Sequence, residues 1–109
     1  MMYKEIKAKE IGLSESDLNE IRDFARKNKK IMQVVLYGSR AKGNYKPGSD
    51  LDLVLIGDKL ELADQLSFWA DLDESWQPYF FDVAILQNIK NDELLDHINR
   101  VGKVIYEKL

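Results

Sequence analysis

The sequence predicts an α/β domain, a small mixed β-sheet packed against helices, from three features. Short β-branched and aromatic runs end at glycines or other turn residues, which reads as buried strand. Amphipathic helical stripes alternate with those runs. A turn-rich loop joins the first two strands and a helical stripe joins the next two, so antiparallel and parallel pairing are both expected.

The first helix begins at Leu13-Ser14-Glu15-Ser16-Asp17-Leu18, where Ser14 can cap, Asp17 can reach back and Leu13 can staple onto Leu18. Leu18, Ile21 and Ala25 form its stripe, with Phe24 beside it. The basic run Arg26-Lys27-Asn28-Lys29-Lys30 closes the helix against the negative end of its dipole and reads as a solvated end. Strands follow at 31–37 and 51–56, the second stopped by Gly57-Asp58. Asp58 and Glu61 can cap a helix with Leu62, Leu66 and Trp69 on one face, flanked by Ala63 and Ala70. Pro78 ends the next connection, 79–86 is a third strand, and Leu94, Leu95, Ile98 and Val101 mark a last helix stopped by Gly102. Residues 103–106 add a short edge strand. Trp69 and Trp76 read as packing residues.

A chain of 109 residues and 12.7 kDa suits one domain, 1–109. With 45% hydrophobic and 32% charged residues it is too apolar for disorder and too charged for a membrane protein. No run nears the roughly 20 apolar residues that span a bilayer, and the start MMYKEIKAKE lacks an apolar signal core, so a cytoplasmic location is expected. The absence of cysteine excludes disulfides and thiolate metal sites, and the single His97 excludes paired-histidine zinc motifs. His97 has no partner at triad or ligand spacing and reads as a helix-surface residue. A net charge of −3 provides no extended nucleic-acid surface, so any nucleotide must be held locally.

The chemistry concentrates between Gly38 and Asp52. Asp50 and Asp52 occupy alternate positions where an apolar strand begins, on one face and roughly 7 Å apart, so both can converge on one metal cluster. Burying carboxylates without partners is costly, and oxygen ligands favour Mg²⁺ or Mn²⁺. Taken alone, the pair also fits a merely polar strand start. Gly38-Ser39, directly after a strand, lets the backbone approach a ligand while amides and the Ser39 hydroxyl hold phosphate oxygens, although by itself the pair is better read as a helix cap made by Ser39. Arg40, Lys42 and Lys46 add positive charge nearby. Asp82 interrupts the run Tyr79-Phe80-Phe81-Asp82-Val83-Ala84-Ile85-Leu86, and either a shared metal or a surface position on an edge strand explains it. An antiparallel first pair and a parallel second pair would bring all three acids to one sheet end. No P-loop Lys-Ser/Thr follows either glycine spacing, and there is no Gly-x-Gly-x-x-Gly.

Gly-Ser, ten residues, then Asp-x-Asp, spanning Gly38 to Asp52, resembles the signature of the DNA polymerase beta nucleotidyltransferase superfamily. With Asp82 as a third acid and this short length, the chain looks like the minimal nucleotidyltransferases of bacteria and archaea. The resemblance covers essentially the whole chain and implies the nucleotidyltransferase fold. It implies that Asp50 and Asp52 bind two Mg²⁺ ions, with Mn²⁺ as an alternative. Asp82 would complete the site or assist deprotonation. Gly38 and Ser39 would bind the triphosphate of ATP, and Arg40 and Lys42 would offset its charge. Minimal members resemble the antitoxin half of a module whose other product is a HEPN-domain ribonuclease toxin. The implied reaction is transfer of AMP onto a tyrosine of that toxin, within a hetero-complex or oligomer. A noncatalytic antitoxin, or an enzyme acting on a small molecule or RNA, shares the same signature.

Overall fold

The computed structural model describes residues 6–109; Met1 to Glu5, part of the charged amino-terminal stretch, lie outside the described residues. A 3₁₀ turn at Ala8–Ile11 precedes α1 (Glu15–Arg26), β1 (Ile31–Tyr37), α2 (Gly38–Lys42), β2 (Leu51–Gly57) and α3 (Leu62–Glu74). Then come β3 (Phe81–Ile85), a 3₁₀ turn at Leu86–Asn88, α4 (Asp92–Val101) and β4 (Lys103–Glu107). The third strand is shorter at both ends than the apolar run suggests, because Tyr79 and Phe80 precede the ladder and Leu86 enters the turn.

The four strands form one mixed sheet in the order β3-β2-β1-β4. The β1 strand pairs antiparallel with β2 and with β4, while β2 pairs parallel with β3. Both pairings expected from the connections are therefore present, and the short carboxy-terminal strand takes an edge.

Side-chain alternation gives the sheet two apolar faces. One carries Val34, Leu36, Leu51, Leu53, Leu55, Phe81, Val83 and Ile105, covered by Leu18, Ile21 and Ala25 of α1 and by Phe68 and Leu72 of α3. The other carries Val35, Tyr37 and Val54, covered by Ile98 of α4. Each fully buried Leu or Ile contributes roughly 1.5–3 kcal/mol relative to exposure, so the first layer dominates stability. Ser14 caps α1, its hydroxyl accepting the Asp17 amide at 3.0 Å, and Leu13 and Leu18 are both buried in the same cluster.

Two helix readings change. Asp64 accepts the Glu61 amide at 2.8 Å, so the cap of α3 is built at Glu61 and not at Asp58. The face of α3 turned to the core carries Phe68 and Leu72, and Leu62, Leu66 and Trp69 stay 64%, 53% and 40% exposed. Both sets share helical spacing, so periodicity alone does not choose between them. Gln65 and Trp69 instead reach β3, donating to the carbonyls of Val83 at 2.6 Å and Phe81 at 3.1 Å. Trp76, expected to pack, is 100% exposed on the connection after α3. The basic run after α1 is tied as well as solvated: Lys27 pairs with Asp71 at 3.0 Å and Lys30 with Asp64 at 2.7 Å.

Candidate active site

The sheet registers place the acids. Asp52 is the antiparallel partner of Tyr37 and the parallel partner of Asp82, so Tyr37, Asp52 and Asp82 form one row across three strands on the α4 face. Direct partners on neighbouring strands stand about 5 Å apart, and strand alternation puts Asp50 on the same side as Asp52. Asp50 and Asp82 are exposed at the mouth of this row, and Asp52 is half-buried within it. Asp82 lies exposed on an edge strand, one of the two explanations of its position, and stands on the same sheet face as Asp52.

The turn after β1 is shaped by Asp52. Gly38 has φ +76°, and a Cβ built there would collide with Oδ2 of Asp52. Any other residue would be strained by the backbone and would occupy the space of the carboxylate. Ser39 follows in the first turn of α2, partly exposed, and Lys42 and Lys46 are exposed on the same connection.

Arg40 is elsewhere. Its side chain is 2% exposed, donating from Nε to the Ser49 carbonyl at 3.0 Å and from Nη1 to the Ile11 carbonyl at 3.0 Å and the Gly12 carbonyl at 3.3 Å. The guanidinium lies between the rings of Tyr45 and Tyr79, 5.1 and 4.8 Å from their centroids. A buried cation satisfied by carbonyls and π-faces has no reach toward a triphosphate. The expectation that Arg40 offsets phosphate charge is corrected: it fastens the loop leading to Asp50.

His97 is corrected in the opposite direction. Its Nε2 accepts the Gly38 amide at 3.1 Å, and its ring meets Tyr37 edge-on, with centroids 6.3 Å apart. It thus belongs to the site, together with Tyr37. No spacing signal reveals this, because the partner of His97 is a main-chain amide 59 residues away.

The row is electrostatically unfavourable as it stands. Burial raises the Asp52 carboxyl above the usual carboxylate range, and the nearby Asp82 and Asp50 raise it further. Burial, with the same Asp82 and Asp52 charges, pushes the Tyr37 phenol up to about 12. The ion pairs formed among the described residues involve Asp23, Asp64, Asp71 and Asp96, none of them in the row. Three carboxylates that pair with no lysine or arginine among the described residues, one of them half-buried, offer the hard oxygen donors that suit Mg²⁺ or Mn²⁺. Among the described residues no three ligating side chains converge closely enough to enclose an ion, so an ion held at this row would require the carboxylates to move together. The donor set fits the ion.

A mixed sheet with acids gathered at one end beside a glycine-serine turn defines a nucleotidyltransferase-type site. Residues 19–109 match the model of the family described as polymerase beta, nucleotidyltransferase, and the chain belongs to that family. Among solved structures the fold is similar to a toxin–antitoxin complex with AMP-PNP, at 22% identity over 84% of this chain and 73% of that one, with a TM-score of 0.69. It is also similar to the MntA-HepT toxin–antitoxin, at 18% identity over 87% and 74%, with a TM-score of 0.65. A third likeness is to a tri-AMPylated Shewanella oneidensis HEPN toxin in complex with MNT antitoxin, at 18% identity over 85% and 71%, with a TM-score of 0.64. At these identities the likeness is one of fold. No curated protein matches the chain. Among the described residues no helix is long and apolar enough to cross a membrane.

Proposed function

We propose that this chain transfers AMP from ATP to a tyrosine hydroxyl of a partner HEPN-domain toxin and so acts as its antitoxin. The observation that carries the reading is the shared row of Asp52 and Asp82, opened toward the turn at Gly38. Support for the acceptor comes from the similar fold of complexes that hold AMP-PNP or an AMPylated HEPN toxin.

Asp50, Asp52 and Asp82 would hold two Mg²⁺ ions, or Mn²⁺. Bound there, such ions neutralise phosphate charge and stabilise the entering and leaving oxygens of an in-line displacement. Gly38 leaves room for the chain to approach a triphosphate, and the Ser39 hydroxyl and amide bind its oxygens. Lys42, exposed on the same turn, offsets its negative charge. Asp82, exposed on β3, accepts the proton of the attacking hydroxyl. The hydroxyl oxygen then bonds to the α-phosphorus, the bridging bond to the β-phosphate breaks, and pyrophosphate leaves.

The test is incubation of the purified chain with α-labelled ATP, Mg²⁺ and a HEPN-domain toxin. The toxin should become labelled on tyrosine, and Asp50→Ala should abolish the labelling. Equal labelling by that variant would remove the acids from the chemistry. Neutralisation unchanged by Asp52→Ala would favour a noncatalytic antitoxin acting by contact, and labelling of RNA or a small molecule in place of protein would replace the acceptor.

A further inference from the structure

We infer that His97 is a positioning residue for nucleotide binding: its Nε2 fixes the peptide of Gly38 and thereby decides which groups of the turn face the triphosphate. The inference rests on the functional reading above and deepens it.

Four observations converge on His97. The Gly38 amide donates to Nε2 at 3.1 Å, so that nitrogen is the unprotonated one and the imidazole proton sits on Nδ1. Gly38 is also the residue at which an added Cβ would run into Oδ2 of Asp52, and its φ is +76°. The Tyr37 ring stands edge-on to the imidazole at an interplanar angle of 80°, restricting its rotation. Ile98, the next residue along α4, is buried in the apolar layer with Val35, Tyr37 and Val54, so the helix carrying His97 is anchored to the sheet. The imidazole therefore ties a fixed helix to a turn that must adopt a left-handed backbone.

The consequence concerns donors. An amide already bonded to Nε2 is not offered to a ligand, which leaves the next donors of the turn, among them the amide and hydroxyl of Ser39, to face it. Without the acceptor, the Gly38 peptide is free to rotate, and the approach of Ser39 to a phosphate has to be fixed on binding. Loss of His97 should therefore weaken nucleotide binding more than it slows the chemical step.

The test compares wild type with His97→Ala, His97→Gln and His97→Asn. Glutamine places an amide oxygen near the position of Nε2, whereas the asparagine oxygen falls near Nδ1 and is too short to reach Gly38. Binding of a non-hydrolysable ATP analogue with Mg²⁺ is measured by calorimetry, and the KM for ATP and kcat by labelling, on variants whose thermal melts show a folded chain. His97→Ala and His97→Asn should weaken analogue binding and raise KM roughly three- to tenfold, the worth of one hydrogen bond, with a smaller change in kcat. His97→Gln should restore both toward wild type. Glutamine no better than alanine, or alanine indistinguishable from wild type, overturns the inference while leaving the functional reading intact. Wild-type protein that binds no analogue and labels nothing overturns the functional reading and this inference with it.

Discussion

Asp52 and Asp82 are direct partners in the parallel ladder of β2 and β3, two carboxylates side by side on one sheet face. Like charges at that spacing repel, and Asp52 is partly desolvated besides, so the pair opposes folding until a cation joins it.

Replacing Asp52 by asparagine should therefore stabilise the metal-free protein. The Asp52 carboxyl is raised on folding, so the native state holds more protons than the unfolded chain through that window, and stability falls as pH rises through it. At neutral pH, Asp52→Asn should melt a few degrees higher than wild type in the presence of a chelator. Wild type should gain stability on adding Mg²⁺ and the variant should gain little. A lower melting point for the variant in chelator would contradict the repulsion described for the row.

Gly38→Ala tests the turn. Alanine at φ +76° costs about 1–2 kcal/mol in backbone strain, and its methyl group collides with Oδ2 of Asp52. Denaturant melts should show a loss of at least that size, and AMP transfer should fall by more than the lost stability explains.

Arg40→Ala should behave as a core mutation. It removes the donor to three carbonyls, two of which belong to Ile11 and Gly12, and empties the space between Tyr45 and Tyr79. A loss of about 3 kcal/mol in chemical denaturation is expected. Arg40→Lys should recover part of it, because one ammonium cannot replace the guanidinium fork.

Acid titration isolates the link between α3 and the connection from α1 to β1. The hydrogen bond from Lys30, with those from the Glu61 amide and Asn28, holds the Asp64 carboxyl down from 3.8 to about 2. A depressed carboxyl contributes stability above its unfolded value that disappears as pH falls through the folded one. Asp64→Asn should thus flatten the loss of stability between pH 3.8 and about 2 in melts recorded across that range.

Strands 31–37 and 51–56, the second running one residue further in the fold, and the cap at Ser14 were legible because local composition and turn chemistry determine them. The acids were legible because apolar strands make a carboxylate conspicuous. Three readings needed coordinates. Arg40 sits in a motif rich in nucleotide-binding residue types, yet two of its three carbonyl acceptors lie almost thirty positions upstream. His97 meets a main-chain amide, and main chain leaves no mark in a pattern of side chains. In α3 two apolar stripes compete, and contact with the sheet selects Phe68 and Leu72, leaving the tryptophan-bearing stripe outside.

The bonds from Gln65 and Trp69 to the carbonyls of Val83 and Phe81 have a consequence for how this molecule behaves in company. An edge strand with free acceptors recruits strands from other chains, and a recruited strand on β3 would crowd the carboxylate of Asp82. With two of its acceptors already engaged, β3 is a poor template for intermolecular ladder growth. The border of the sheet that bears the third acid is thereby kept open to visitors that bring a hydroxyl and discouraging to those that bring only backbone.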